Sequence, residues 1–197
     1  MKIAILKSRL GYLGGLEKYA IHIAQAFAKK GHSVSLLTTG KPPEVEGVEV
    51  ISLAPSLNPY IFQFNHFETL CQNWLKKNPC SIVFGLDRNI AQTHYRAGNG
   101  LHKTFLNQRP SSHRISSFVN PKHLYLLKRE KELFSSPSLR LIFANSHMVA
   151  QDLQKTYNVD PKKIEVVHNG IDLDYFNPNQ QNFFYQDEDC CEGCHSE

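Results

Sequence analysis

The sequence has no apolar run long enough to cross a membrane, which argues against an integral α-helical membrane protein. Only four consecutive apolar residues, Ile3, Ala4, Ile5 and Leu6, precede Lys7 and Arg9, so no signal peptide is expected. Cysteine is scarce: of five in 197 residues, Cys71 and Cys80 stand alone, while Cys190, Cys191 and Cys194 crowd the carboxyl end. That distribution does not make a disulfide framework, and a reducing cytoplasm is the expected compartment. Two nucleotide-binding signatures are missing as well. Gly11, Gly14 and Gly15 do not space as G-x-G-x-x-G, which disfavours a nicotinamide-dependent enzyme, and the absence of Gly-Lys-Ser/Thr excludes a P-loop.

What is present begins with a strand, a glycine loop and a helix. The apolar run 3–6 is too short for a helix and reads as a buried strand. Leu16, Tyr19, Ala20, Ile23, Ala24 and Phe27 then recur at the spacing of an amphipathic helix that stops at Gly31. Small residues between the two leave the helix's first N–H groups open to a phosphate or sugar; a tight turn without a ligand is the plainer alternative.

Further strands are expected at 33–38, 48–53, 81–86, 140–145 and 164–167. Helices are expected at 60–75, from Asn120-Pro121 onward, and from Ser146 to Tyr157. In the second of these, Leu124, Leu127 and Phe134 are assigned inward, and Lys128, Arg129 and Lys131 to solvent. This alternation implies an α/β fold, a Rossmann-like parallel sheet with helices on both faces. One domain over 1–178 and a disordered tail over 179–197 follow from the loss of periodicity. Cys191-Glu192-Gly193-Cys194-His195 in that tail has haem-attachment spacing, but nothing around it suggests a haem pocket or a zinc site, and no metal site is expected.

Charge is uneven. Residues 96–131 hold eight bases against the single acid Glu130, a local +7, while the remainder sums to −3. Such a stretch attracts phosphates, anionic lipid or nucleic acid, or is simply solvated. Around Gly98-Asn99-Gly100, the residues Asp87, Arg88, His94, Arg96, Asn99 and His102 cluster just past an expected strand end, where open α/β sheets bind ligands.

Gly14-Gly15-Leu16-Glu17, Asn145-Ser146, Tyr157-Asn158-Val159 and Asn169-Gly170-Ile171-Asp172 with Phe176 and Pro178 form an ordered set that resembles the amino-terminal half of family 4 glycosyltransferases. Residues 84–102 further resemble the lipopolysaccharide core glucosyltransferase branch. The resemblance implies half of a GT-B architecture, whose other domain binds the nucleotide sugar. The expected function is a glycosyltransferase of lipopolysaccharide or other cell-surface glycan synthesis, with a nucleotide sugar as donor substrate, no further cofactor and no nucleic-acid partner. It implies Gly14 and Gly15 near the donor phosphate or reacting sugar, and His94, Arg96 and Asn99 on the acceptor side. Lys103, Arg109, Lys128 and Arg129 would face a membrane carrying a glycan or lipid-linked acceptor, placing the chain in the cytoplasm, peripheral to the inner membrane. Some relatives have an acid where this chain has Tyr19, so no catalytic residue is assigned. Without a carboxyl-terminal domain the leaving diphosphate lacks most of its stabilisation, and the chain alone is expected to turn over poorly. The alternative is a non-catalytic glycan- or membrane-binding module that pairs with a separate donor domain.

Overall fold

The computed structural model describes residues 1–10, 14–54, 60–110 and 120–170, with backbone only at 60–64. Its strands are β1 (Lys2–Arg9), β2 (Ser33–Thr39), β3 (Glu49–Ser52), β4 (Ile82–Gly85), β5 (His94–Ala97), β6 (Leu141–Ala144) and β7 (Ile164–Val166). Its helices are α1 (Gly15–Lys29), α2 (Tyr60–Lys77), α3 (His102–Asn107), α4 (Pro121–Phe134) and α5 (His147–Tyr157), with a 3-10 turn at Pro161–Lys163. The strands form one sheet in the order β3-β2-β1-β4-β5-β6-β7. Every neighbouring pair is parallel.

Each parallel step needs a crossover, and alternation along the strands decides what the crossovers bury. Ile3, Ile5, Val34, Leu36 and Phe84 face Ala20 and Ala24 of α1. The intervening Ala4, Leu6, Leu37 and Val83 face Phe67 and Cys71 of α2. Tyr95, Ala97, Ile142 and Ala144 pack with Leu133 of α4 and Val149 and Leu153 of α5. Both faces are thus covered, and each fully buried Leu or Ile contributes about 1.5–3 kcal/mol. Burial lifts the Cys71 thiol far above its ordinary range, as expected for a packing residue.

Local signals set the helix ends. Asn120 Oδ1 accepts from Lys122 N at 2.9 Å ahead of Pro121, and Ser146 Oγ accepts from Val149 N at 3.2 Å. Asn158, at φ +52°, closes α5 in the left-handed region, and Gly31, at φ +78°, follows α1. Among the described residues no helix is long and apolar enough to cross a membrane.

Three elements depart from expectation. The stretch after β4, where no strand or helix was expected, holds β5 and α3. In His94-Tyr95-Arg96-Ala97 only Tyr95 and Ala97 face an apolar layer, so charge masked the strand. In α4 the inward assignment of Leu124 is wrong: it is 49% exposed, and Leu126, Leu133, Arg129 and Glu130 are buried instead. The boundary at 178 and the cysteine-rich tail lie outside the described residues, as does Gly11.

Candidate functional site

Strand order reverses between β1 and β4, and the carboxyl ends of those strands form the crevice typical of doubly wound sheets. Lys7, at the end of β1, lies 3.2 Å from Glu17 Oε1 of α1 and 3.3 Å from Asp87 Oδ1 beyond β4. Asp87 Oδ2 accepts from the Ser8 amide and from Ser8 Oγ, each at 2.7 Å. Both oxygens of Asp87 are therefore occupied, which fits it to bracing the crevice rather than to abstracting a proton.

On the α2 side of this edge, Asp87, Arg88, Asn99 and Tyr125 line a pocket over Tyr95 and Leu126. Two buried carboxylates hold its walls. Glu68 of α2 accepts from the amides of Ile90 (2.8 Å) and Ala91 (2.9 Å) and from Arg129 Nη2 (2.9 Å). Glu130 of α4, fully buried, accepts from Arg88 Nε (2.9 Å), His102 N (2.5 Å), Lys103 N (3.2 Å) and Tyr157 Oη (2.8 Å). Burial pushes the Tyr157 phenol up, and its bond to Glu130 adds to this. Burial likewise raises Tyr95, so both phenols stay protonated at neutral pH. The pocket offers guanidinium, amide and phenol groups, chemistry that suits a polyhydroxylated or anionic ligand.

The residues singled out from sequence separate into groups. Gly14 caps α1, and a Cβ there would fall 2.7 Å from Glu17 Oε2, the movable end of a side chain; Gly15 meets nothing, so neither glycine is demanded by close approach. The first turn of α1 thus carries the chain's own carboxylate beside Gly14. Asn99 lines the pocket. Arg96 is buried on the α1 side, its guanidinium 3.8 Å over the Tyr19 ring and Nη2 donating to Asn169 Oδ1. His94 lies at the start of β5 rather than at the crevice, stacked on Phe143 with Nδ1 2.8 Å from Thr93 Oγ1. Burial, then Arg140, lowers its pKa, keeping the ring neutral.

The residues assigned to a membrane face also divide. Lys103 and Lys128 are exposed, and Arg109 lies 5.1 Å over the Phe105 ring. Arg129 is a correction: only 6% exposed, it is paired to Glu68 and cannot meet lipid. Glu68, Glu130 and Tyr125 were missed. One signal for Glu130 was in plain view, since a lone acid among eight bases is a natural hub. Among the described residues no group of three His, Cys, Asp or Glu is placed to hold a metal ion.

Comparison with known proteins agrees with this geometry. The model of Glycosyltransferase Family 4 matches residues 13–175. D-inositol 3-phosphate glycosyltransferase of Nocardiopsis dassonvillei is 26% identical, over 87% of this chain and 44% of its own length. That of Thermobifida fusca is 25% identical, with the same coverage. The chain thus spans less than half the length of these curated relatives. Among solved structures, WaaG, a glycosyltransferase involved in lipopolysaccharide biosynthesis, superposes with a TM-score of 0.74 at 20% identity, covering 87% of this chain and 46% of WaaG. A glycosyltransferase from Rickettsia africae gives 0.54 at 19% identity, covering 92% and 46%. The sheet and its helices are therefore the amino-terminal half of a GT-B fold, and the chain belongs to glycosyltransferase family 4.

Proposed function

We propose that this chain is the acceptor-side half of a glycosyltransferase acting in lipopolysaccharide or other cell-surface glycan synthesis, with a nucleotide sugar as donor. The pocket at Asp87, Arg88, Asn99 and Tyr125 carries the reading, because the two guanidinium groups in its lining, Arg88 and Arg129, are held by Glu130 and Glu68, and Asp87 by Lys7 and Ser8, before any ligand arrives. The names of the relatives supply the reaction class, and the likeness to WaaG favours a lipopolysaccharide acceptor. In this reading a carboxyl-terminal or separate domain holds the nucleotide, and the Gly14 turn meets the donor only after Glu17 yields the space beside it.

A peripheral contact with anionic lipid on the cytoplasmic side fits the surface of α3 and α4. Phe105 and Leu124 are half exposed there, alongside Lys103 and Lys128.

The test uses core oligosaccharide released from lipopolysaccharide as the probe. Saturation-transfer NMR is expected to show binding that Asn99→Ala and Tyr125→Phe each weaken several-fold, about 1 kcal/mol per lost hydrogen bond. Unchanged binding in both variants refutes the acceptor site. Sedimentation with phosphatidylglycerol vesicles is expected to fall with salt, and equal sedimentation with neutral vesicles refutes the membrane contact.

A further inference from the structure

We propose that Arg96 docks an anionic substituent, a phosphate or carboxylate, borne on the acceptor's sugar. This rests on the acceptor-side reading and narrows it to acidic acceptors.

The inference comes from a mismatch in charge. The other buried or half-buried cations around the crevice are each met by a carboxylate: Lys7 by Glu17 and Asp87, Arg88 by Glu130, and Arg129 by Glu68. Arg96 is as deeply placed, at 7% exposure, yet it makes no ion pair among the described residues. Its partners are the Tyr19 ring and the neutral Asn169 amide. A ring face and an amide orient a guanidinium without neutralising it, and a charge withdrawn from water calls for a counter-charge. An anion arriving at this corner supplies one.

The group is also held still. Gly98 lies against it so closely that a Cβ would fall 1.9 Å from Nη1, and Tyr19 closes the opposite approach. Asn145 Nδ2 fixes the backbone here by donating to Gly98 O at 2.9 Å. The planar fork is therefore set before binding, which is what two-point recognition of phosphate or carboxylate requires. Arg96 stands in register with Phe143, in the penultimate position of β5, at the same carboxyl edge as the pocket. A purely structural Arg96 would do no more than fasten α1 to β5.

The full chain, with the Arg96 side-chain Nε–Hε resonance assigned by through-bond correlation, is titrated with inorganic phosphate and with sodium chloride at matched ionic strength. A saturable shift at Arg96 with phosphate but not chloride is expected, with smaller shifts at the paired Arg88 and Arg129. Arg96→Gln is expected to weaken phosphate binding about ten-fold, and Arg96→Lys less, as for loss of one charge-assisted contact. No saturable shift in the unsubstituted chain overturns the proposal without depending on any variant. An equal shift at Arg88, or undiminished affinity in a folded Arg96→Gln, overturns it too. Glucose 1-phosphate and glucuronate are expected to compete, and competition by phosphatidylglycerol vesicles alone overturns a sugar-borne group. Core oligosaccharide stripped of phosphate separates the two readings. Binding that depends on Asn99 but not Arg96 refutes only this proposal if phosphate leaves Arg96 unmoved. Absent binding refutes only the acceptor site if phosphate still reaches Arg96.

Discussion

Replacing Glu130 with alanine removes one buried carboxylate from four partners: Arg88 Nε, the His102 and Lys103 amides, and the Tyr157 phenol. Removing one member of a buried ion pair costs about 3–5 kcal/mol, because the remaining charge is left uncompensated. The Arg88 side chain keeps 20% exposure and can recruit water, which lowers its share. The two amides at the start of α3 and the phenol lose acceptors, each worth about 1 kcal/mol net. We expect a total of about 3–5 kcal/mol, a large part of the roughly 5–15 kcal/mol that holds a domain together. That corresponds to a fall in Tm of roughly 6–20 °C for a chain of this size. Urea unfolding of the full chain, followed by tryptophan fluorescence and circular dichroism, measures it. Arg88→Leu combined with Glu130→Leu is expected to cost less than Glu130→Ala alone, since neither charge is then stranded. NMR gives an independent check: Glu130 partly opposes the lowering of His102 by burial, so its removal lowers the His102 pKa further. A loss under about 1 kcal/mol, the scale of an exposed ion pair, refutes the hub.

Gly85→Ala would place a Cβ 1.3 Å from the buried Gln92 Oε1, and we expect a loss of about 1–3 kcal/mol, largely recovered by adding Gln92→Ala. Gln92→Ala alone is expected to cost little, because both polar atoms of that side chain are buried without partners among the described residues; chemical denaturation reads all three variants. Leu133→Ala should cost about 2–5 kcal/mol and Leu124→Ala under about 0.5, and equal losses would refute the facing of α4. Burial lowers the pKa of His94 and His102, so between their folded values and the ordinary 6.5 the unfolded chain binds more protons. Stability is therefore full above that ordinary value and lost as pH falls through it, and Tm measured from pH 7.5 to 5 should fall more steeply than in a folded His94→Asn/His102→Asn variant.

Elements whose packing repeats along the chain were legible. β1, α1 and β2 follow from local periodicity, and Asn120-Pro121 and Ser146 announce helices through their own side chains. Elements whose pattern is set by distant partners were not. In α4 the inward face includes Arg129 and Glu130 because Glu68, 61 residues from Arg129, and Arg88, 42 residues from Glu130, complete them. Periodicity cannot register a charge neutralised from another helix. The pocket was legible in part: Asp87, Arg88 and Asn99 could be placed from the strand end. Tyr125 reaches it from α4, whose rotation was misjudged. His94 was drawn into the site by sequence proximity, although its position in β5 sets it back from the crevice.

Glu68 and Glu130 hold the segments that follow Arg88 and Asn99 largely by main-chain amides, those of residues 90, 91, 102 and 103. Main-chain bonds are indifferent to most side chains, so the identities at those four positions are uncoupled from the task of keeping the two segments in place. Side chains at 90, 91, 102 and 103 can therefore change while the two acids continue to anchor the backbone beside the pocket.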